Sequence, residues 1–589
     1  MKNKLFFLLV FMALSVSAEN IPVDKARRIA LEFFRSKKSR LVVDKLQMVY
    51  DGETDFSRSA GASPALYIFD NPEGKGFVIV SGDDLAEPIL GYSYEHEFPE
   101  GNLPPNVEAW LQSLRTQIND GRRLGTVSRP SSRALDATGE VVVQLKTALW
   151  NQGYPYNQFC PDLNDGGYDE GHPPTGCVIT ATAIVMHYHQ WPEKGVGTLP
   201  QYTFGTNNTK VPAVQLGHVY EWKQMISEYH TGQYTVEQGE QVARLMADLG
   251  VMLQADYNKN GTAASIYHLG SLLSTYMGYD KSALYMKRSD ILEAEWHQVL
   301  QQELQAGRPI IYDGHNDRSG HSFVLDGFTS ERYYGVNWGW GGYCNGYFLL
   351  NALIPQGNGI GGNNDHYNFN QSAVIGLKPD EGGDYVEKMV IQGSGLTSPA
   401  VEFERYKPFD LIVTRVNNSG GGSINGTLLW ALTDRNGKIK EHLSDMNFKD
   451  LQPGWGWNDL HKSCTITVPI SIGDRIRLFY KSAQTPEWTL IKGGDECVWE
   501  LLVADEFTIE ESTVVKYNKK DGIWTVTTKK GVDVQLISEA GTVLGERCTT
   551  EGVVTTINTQ GLEEGVYVLK LKKKFEACDV RIKLGNSSK

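Results

Sequence analysis

T-G-C-V-I-T-A-T-A-I-V-M-H-Y-H-Q-W-P, residues 175–192, carries one cysteine into a long uncharged run. Residues 178–186 are apolar or small, which predicts a helix buried on all sides, and Pro192 is expected to stop it. Cys177 then lies at the helix N-terminus, where unpaired backbone N–H groups and the positive end of the helix dipole favour the nucleophilic thiolate. The stretch alone is equally compatible with an unreactive cysteine that fills the core.

Length, composition and charge restrict the classes of protein to which the chain can belong. Its 589 residues exceed what one core supports and predict about three to five domains. The composition, 41% hydrophobic and 21% charged, is that of a globular protein. A net charge of -14 without a long basic run argues against nucleic acid as a partner, because neutralising phosphates requires clustered Lys and Arg.

The N-terminus has the three parts of a secretory signal. Lys2 and Lys4 precede an apolar run over 5–14 and the small residues of V-S-A at 16–18, so residues 1–18 are predicted to be removed. The run is too short to span a bilayer, and no later segment is apolar for long enough. We therefore expect a protein without a transmembrane segment that acts outside the cytoplasm.

Seven cysteines, an odd number, leave at least one thiol unpaired in an exported protein, and Cys177 is the natural candidate. Pairing among the others stays open. No CxxC pair occurs, so neither a zinc ribbon nor a thioredoxin motif is available, and no metal or cofactor is expected.

The chain before residue 136 is predicted to form a separate α+β unit, residues 19–135. Helical spacing over 20–36 is followed by two strands within 65–84 and a second helix after Pro105. The unit ends in the polar, basic, Ser-rich run at 121–133, which is typical of an exposed linker open to proteolysis.

The segment 136–380 mixes helices and strands. Helices are predicted at about 236–255 and 291–305 and strands at 308–312, 319–328, 333–350 and 372–379. The Gly/Asn-rich loop 355–369 is long enough to suggest a functional role. Beyond it, short β-type runs predict a β-sandwich at 385–505 and a smaller all-β module at 506–589.

A cysteine nucleophile needs a base and donors for the developing oxyanion. His321 lies 321 − 177 = 144 residues after Cys177, the separation found in papain-type cysteine proteases. Gly320 before it and the apolar strand after it are suited to holding an imidazole at a cleft. His187 and His189 lie about three turns along the Cys177 helix, too far to reach the thiol.

Three motifs in order resemble those of streptopain-type cysteine peptidases, which are secreted bacterial enzymes with a papain-like fold. They are the 175–192 stretch, S-G-H-S-F-V-L-D-G at 319–327, and V-N-W-G-W-G-G-Y-C-N-G-Y-F at 336–348. The resemblance covers roughly 20–379. It implies that residues 19–135 are an inhibitory propeptide, because G-F-V-I-V-S-G-D-D and I-L-G-Y are similar to that part of the family.

The resemblance also implies roles for single residues. Cys177 is the nucleophile, His321 the general base and acid, and Gln152 in W-N-Q-G-Y-P-Y-N the side-chain donor to the oxyanion. Asn337 is in the position of the residue that orients the histidine in papain-like enzymes. Trp338, Trp340 and Gly320 border the substrate cleft, although aromatic residues beside glycine are also compatible with core packing. The loop 355–369 is expected to order when substrate binds.

These assignments predict acyl transfer to water from protein and peptide substrates, with the enzyme's own propeptide as an intramolecular inhibitor. The pattern at 565–584 resembles the C-terminal sorting domains of Bacteroidetes, which implies attachment to the cell surface. One alternative is a catalytically silent adhesin carried by the β modules. A zinc hydrolase using His172, Cys177, His187 and His189 is disfavoured, because residues two apart on a helix do not share a face.

Overall fold

The computed structural model describes the chain from Asn20 onward, with gaps. The described residues are 20–36, 46–50, 63–71, 75–98, 103–124, 138–163, 171–315, 320–351, 371–400, 402–504, 512–518, 523–528, 532–540, 542–544, 548–549, 554–558, 562–563, 565–573 and 576–584. The predicted signal sequence 1–18, linker residues 125–133 and the loop 355–369 lie outside them. Within the described part, no helix is long and apolar enough to cross a membrane.

Six α-helices are described: α1 Val23–Ser36, α2 Pro105–Leu124, α3 Cys177–His189, α4 Val236–Met252, α5 Leu269–Met277 and α6 Glu293–Gln305. The strands up to residue 380 are β1 Gln47–Tyr50, β2 Leu66–Asp70, β3 Phe77–Ser81, β4 Ile89–Ser93, β5 Val141–Gln144, β6 Thr198–Leu199, β7 Tyr202–Phe204, β8 Thr209–Val211, β9 Val214–Gln215, β10 Leu284–Lys287, β11 Ile310–His315, β12 Gly320–Thr329, β13 Tyr334–Asn337, β14 Gly346–Phe348 and β15 Gln371–Ile375. The later strands are β16 Met389–Thr397, β17 Pro408–Asn418, β18 Ile424–Thr433, β19 Ile439–Leu451, β20 Gly456–Thr465, β21 Arg475–Ser482, β22 Thr489–Leu490, β23 Glu500–Leu502, β24 Val514–Asn518, β25 Ile523–Thr527, β26 Asp533–Ser538, β27 Cys548–Thr549, β28 Val554–Asn558, β29 Gly565–Lys573 and β30 Glu576–Leu584.

Helix α3 is buried along its length, as its uncharged sequence predicts. Every residue from Val178 to Met186 is buried, and the helix packs against β12 and α4. It ends at His189, before Pro192, because Gln190 adopts a left-handed conformation (φ 49°) and its N–H caps a carbonyl of the last turn. The helix thus anchors Cys177 in the centre of the molecule.

One sheet of eleven strands joins the N-terminal segment to the segment that carries α3. Its order is β1-β2-β3-β4-β14-β13-β12-β11-β15-β10, with β5 paired to β12. The junction is the antiparallel pair β4–β14, in which Tyr92 lies opposite Tyr347 and Gly91 opposite Phe348. A Cβ atom at Gly91 would approach the Phe348 ring to 2.6 Å, so this register requires glycine. The propeptide predicted at 19–135 therefore extends the central sheet directly.

Helix α2 covers the face of this sheet opposite α3. Its Trp110 packs edge-on against Phe323 of β12 (ring centroids 5.7 Å apart) and against Trp338 (6.0 Å). At its C-terminal end, Arg122 forms an ion pair with Asp83 at 2.7 Å and donates to three backbone carbonyls in the β2–β3 region. Both ends of α2 are thus fixed to β-structure.

The remainder of the described chain is all-β. Residues 385–504 form two sheets, β16-β17-β20 and β19-β18-β21-β22 with β23 beside β21, which enclose one apolar core. Two smaller sheets, β24-β25-β28 and β27-β26-β29-β30, form the last module. The prediction of an α+β, papain-like catalytic region preceded by an α+β propeptide and followed by two all-β modules is confirmed.

Candidate active site

Cys177 is the first residue of α3, and the loop before it is held tightly. Gly176 has φ 95°, and a Cβ there would lie 2.7 Å from the carbonyl oxygen of Thr262, so only glycine fits. The backbone N–H of Thr175 donates to the carbonyl of Gln152 at 3.0 Å. Cys177 and Gln152 are therefore brought together by the backbone although 25 residues separate them (177 − 152 = 25).

Burial dominates the electrostatics of the thiol. It raises the pKa of Cys177, a hydrogen bond from the backbone N–H of Ser322 lowers it, and the nearby carboxylate of Asp313 raises it. The N–H groups of Cys177 and Val178 at the helix N-terminus lower the pKa, as predicted from the sequence. In this state of the chain, desolvation of the negative sulfur outweighs them.

His321 lies near the start of β12, directly after Gly320, and opposite Gly314 of β11. Burial lowers the pKa of its imidazole, and the Asp313 carboxylate acts in the opposite direction. The hydroxyl of neighbouring Ser322 donates to Asp313 Oδ1 at 2.9 Å. Because side chains alternate along a strand, His321 is directed to the other face from Ser322.

The structure therefore brings the thiol of Cys177 to the backbone of the residue next to His321. Among the described residues, no hydrogen bond joins the thiol to the imidazole. With the propeptide in place, the thiol at the start of α3 therefore contacts the backbone of β12 without being hydrogen-bonded to the imidazole. Asp313, which was not singled out from the sequence, lies close enough to influence both; a carboxylate ending the apolar strand P-I-I-Y was the signal for it.

Gln152 supplies a side-chain amide beside the cysteine loop. The residue is buried, with 6% of its surface exposed, and its side chain makes no hydrogen bond within the described part of the chain. Its backbone N–H is bound by the side chain of Asn151 at 2.7 Å, which fixes the direction of the turn. An unpaired, preorganised donor is what an oxyanion site requires.

Asn337 forms its hydrogen bonds away from the imidazole of His321. Its Nδ2 donates to Thr147 Oγ1 and to the carbonyl of Ala148, both at 2.9 Å, and its Oδ1 accepts from the N–H of Gly339 at 3.2 Å. Thr147 in turn donates to Asp326 Oδ2 at 2.6 Å. The described hydrogen bonds of Asn337 thus go to the segment leading to Gln152 and to Gly339, and none of them goes to the imidazole of His321.

The two tryptophans differ in environment. Trp338 is 1% exposed; its Nε1 donates to the carbonyl of Cys344 at 3.0 Å, and its ring packs on Phe323 (4.8 Å) beneath helix α2. Trp340 is partly exposed, and its Nε1 has no partner among the described residues. In this propeptide-bound state Trp338 is a core residue, whereas Trp340 is partly exposed to solvent and has an indole N–H without an acceptor among the described residues.

Among the cysteines whose side chains are described, Cys160, Cys177, Cys344, Cys464 and Cys497 form no disulfide. The part of the chain that contains this candidate site, and the part before it, match families of known proteins. The peptidase C10 family matches residues 150–348, and the Spi protease inhibitor family matches residues 18–118.

Streptopain of Streptococcus pyogenes is 33% identical over 325 residues, covering 53% of this chain and 81% of streptopain. Thiol protease/hemagglutinin PrtT of Porphyromonas gingivalis is 28% identical over 60% of this chain and 42% of its own length. A solved prointerpain A fragment of Prevotella intermedia is 28% identical, with a TM-score of 0.46 and coverage of 57% of this chain and 99% of the fragment. The chain belongs to the streptopain (peptidase C10) family and is a cysteine peptidase made as a zymogen with its own Spi-type inhibitory propeptide.

Proposed function

We propose that Cys177 is the nucleophile of this peptidase, His321 its general base and acid, and Gln152 together with the backbone N–H of Cys177 its oxyanion site. One observation carries the assignment. The thiol of Cys177, at the N-terminus of buried helix α3, accepts a hydrogen bond from the backbone of Ser322, the residue after His321. This contact lies inside the region that matches the peptidase family.

The chemistry is acyl transfer in two steps. The Cys177 thiolate attacks the substrate carbonyl while the Gln152 amide and the Cys177 N–H bind the oxygen that becomes negative. The imidazolium of His321 then protonates the leaving amine, which leaves an acyl group on sulfur. The neutral imidazole next removes a proton from water, and the hydroxide formed releases the acyl group and restores the thiolate.

The propeptide-bound structure supports a latent state for this site. A thiol with a raised pKa and no bond to an imidazole is a weak nucleophile. Pairing with His321 after propeptide removal would supply the base, and the negative charge of Asp313, which raises the pKa of the imidazole, would favour the imidazolium. Family membership supports the peptidase over the adhesin alternative.

The substrates we propose are proteins cleaved internally, and the location is outside the bacterial cytoplasm. The apolar run and small residues at 5–18 support export. Attachment to the cell surface through the module at 506–589 rests on the resemblance of 565–584 to sorting domains. The proposed boundaries of the five segments, 1–18, 19–135, 136–380, 385–505 and 506–589, follow the sequence prediction.

Casein digestion by purified full-length variants tests the catalytic assignment. Cys177→Ala and His321→Ala should each lower the rate by at least about a thousandfold, whereas Cys497→Ser in the β-sandwich should leave it unchanged. An epoxide thiol reagent should inhibit the wild type, and a chelator should not. Near-normal digestion by Cys177→Ala would refute the assignment.

The same proteins test self-processing. Wild type should shorten by cleavage within about 115–145, and Cys177→Ala should keep its length after signal removal. N-terminal sequencing of both products distinguishes the outcomes. Equal shortening of both chains would mean that another protease makes the cut.

A further inference from the structure

A cavity of about 220 Å³ lies between the peptidase region and the β-sandwich. Its peptidase wall consists of the N-terminal end of α5 with strand β10, and its sandwich wall consists of β17 with the turn at 453–454. Cys177, His321 and Gln152 do not line it. The cavity is therefore separate from the proposed catalytic site, and an inference drawn from it does not depend on that assignment.

Polar contacts across the boundary keep the two walls together. Gln392 of the sandwich donates to the buried carboxylate of Asp290 at 2.7 Å, and Lys492 forms an ion pair with Glu295 at 2.7 Å. Four glycines line the space between the walls, namely Gly270, Gly420, Gly421 and Gly454. The cavity is thus built into the fold, as ligand sites generally are.

Two cations at the cavity are not neutralised by an ion pair. Lys287 and Arg415 line it with exposed side chains, and neither forms an ion pair within the part of the chain that the structure describes. One carboxylate, Asp290, also lines the cavity, but its oxygen is already bonded to Gln392. In a chain of net charge -14, a cavity with two cations and one anion is a local positive site.

Helix α5 adds further positive character. His268, Gly270 and Ser271 line the cavity, and the N-cap residue His268 provides no side-chain cap. The N–H of Leu269 donates to the carbonyl of Ile266 at 3.1 Å, whereas those of Gly270 and Ser271 have no partners within the helix, at the positive end of its dipole. An anionic group in the cavity would satisfy these donors and the two cations together.

Other residues of the cavity lining are polar, which indicates that the ligand carries hydroxyl groups as well. Ser271, Gln392 and Ser419 bring hydroxyl and amide groups to the lining, beside the carboxylate of Asp290. Hydroxyl groups both donate and accept, so a polyhydroxylated ligand is suited to a lining that contains amide, hydroxyl and carboxylate groups.

Aromatic rings form the rest of the lining. Tyr267 and Tyr285 make an edge-to-face pair with ring centroids 5.0 Å apart, and Tyr385 lines the cavity from the sandwich side. Aromatic faces can cover the apolar C–H face of a ring. A small, enclosed space is better matched to a single ring than to an extended peptide, which would need a groove.

We propose that this cavity binds an acidic monosaccharide, free or as the terminal residue of a glycan. Its carboxylate would lie at the N-terminus of α5 near Arg415, its hydroxyls would meet the polar side chains of the sandwich wall, and its ring would lie against Tyr267. The site would attach the peptidase to acidic glycans independently of peptide cleavage.

Calorimetric titration of the full-length chain carrying Cys177→Ala, which prevents self-cleavage, tests the proposal. Glucuronic acid and glucose form a matched pair, because they differ only in the carboxylate. Glucuronic acid should bind saturably and at least about tenfold more tightly than glucose, and added salt should weaken it. Arg415→Gln and Lys287→Gln should each weaken binding by about tenfold, whereas Lys438→Gln, which removes a charge elsewhere on the sandwich, should not.

Three results would overturn the proposal. They are no saturable binding of glucuronic acid, equal affinity for glucose, or tighter binding of a dipeptide with a free carboxylate, which would identify a peptide-end site instead. Thermal unfolding of Arg415→Gln and Lys287→Gln verifies that both are folded, so that weaker binding is not confused with loss of structure. Casein digestion by chains with active Cys177 should be unaffected by Arg415→Gln, which separates this site from the catalytic one.

Discussion

The side-chain amide of Asn106 donates a hydrogen bond to the backbone carbonyl of Trp338 at 2.8 Å, joining residues 232 positions apart. Asn106 lies in the first turn of propeptide helix α2, and Trp338 follows directly after strand β13 of the peptidase. Both residues are buried. This bond, with Trp110 packed on Trp338, is a specific link between the inhibitor and the segment after β13.

Removing that link should weaken latency. In Asn106→Ala the carbonyl of Trp338 loses its buried donor, which costs about 1–3 kcal/mol and favours propeptide release by roughly tenfold. We expect faster conversion of the zymogen, measured by gel analysis of samples taken over time. Glu108→Ala, which changes an exposed side chain of the same helix, is the control; equal rates for the two variants would contradict the role of Asn106.

Alkylation rates should report the state of the thiol. Because burial raises the pKa of Cys177, the thiolate fraction near neutral pH is small in the intact chain, and iodoacetamide should react slowly. Release of the propeptide should accelerate the reaction by about tenfold for each unit by which the pKa falls. Peptide mapping by mass spectrometry measures Cys177 and, as an internal reference, half-buried Cys497. Equal acceleration at both cysteines would indicate general loosening instead.

The contacts of Asn337 predict how its loss affects catalysis. Asn337→Ala should release Thr147 and Ala148 and let the segment that carries Gln152 shift, which lowers kcat by about ten- to a hundredfold. The alkaline limb of the pH profile of kcat/KM, which reports loss of the proton from the His321 imidazolium, should keep its position, because the imidazole loses no contact. Gln152→Ala should lower kcat without altering that limb either. A shifted alkaline limb in Asn337→Ala alone would restore the role of orienting His321.

Asp326 should make stability depend on pH in a direction opposite to that of most carboxylates. Burial raises its pKa to about 6 in the folded chain, against an ordinary value of 3.8 for aspartate, while hydrogen bonds from Thr147 and Gln144 act the other way. The folded state therefore binds more protons, and stability falls as pH rises from about 4 to about 6, by about 3 kcal/mol in all. Asp326→Asn removes this loss.

Thermal unfolding of Asp326→Asn and its parent, both carrying Cys177→Ala, measures the effect. The variant's Tm relative to the parent should rise between pH 4.5 and about 7 and stay constant above that range. Asp384→Asn, at an exposed position, is the control and should show no such trend. Parallel curves for Asp326→Asn and the parent would mean that this carboxyl titrates normally in the folded protein.

The elements that depend on local pattern were predictable from the sequence. Helix α3 follows from an uncharged run, and the strands around His321 follow from alternation bounded by glycine. Pairing of β4 with β14 was not predictable, because periodicity identifies a strand but not a partner more than 250 residues away. Covering of Trp338 by α2 depends on that same pairing.

Within the candidate site, residue types could be inferred but not their contacts. The motif around Asn337 suggested an orienting amide, yet its bonds go to Thr147 and Ala148, which lie in an unremarkable stretch of sequence. Likewise, a helix N-terminus suggested an acidic thiol, and only the packing around Cys177 shows that desolvation prevails. Partners and burial are properties of the tertiary structure.

Departure of the propeptide would leave strand β14 with unpaired backbone groups and strip the cover from Trp338 and Phe323. An unpaired strand edge beside exposed aromatic rings favours association between copies of the mature enzyme. Strand β14 is only three residues long, which limits how firmly another chain can add to it. The mature enzyme should consequently be more prone to aggregate than its precursor. The propeptide would then act as an intramolecular chaperone as well as an inhibitor.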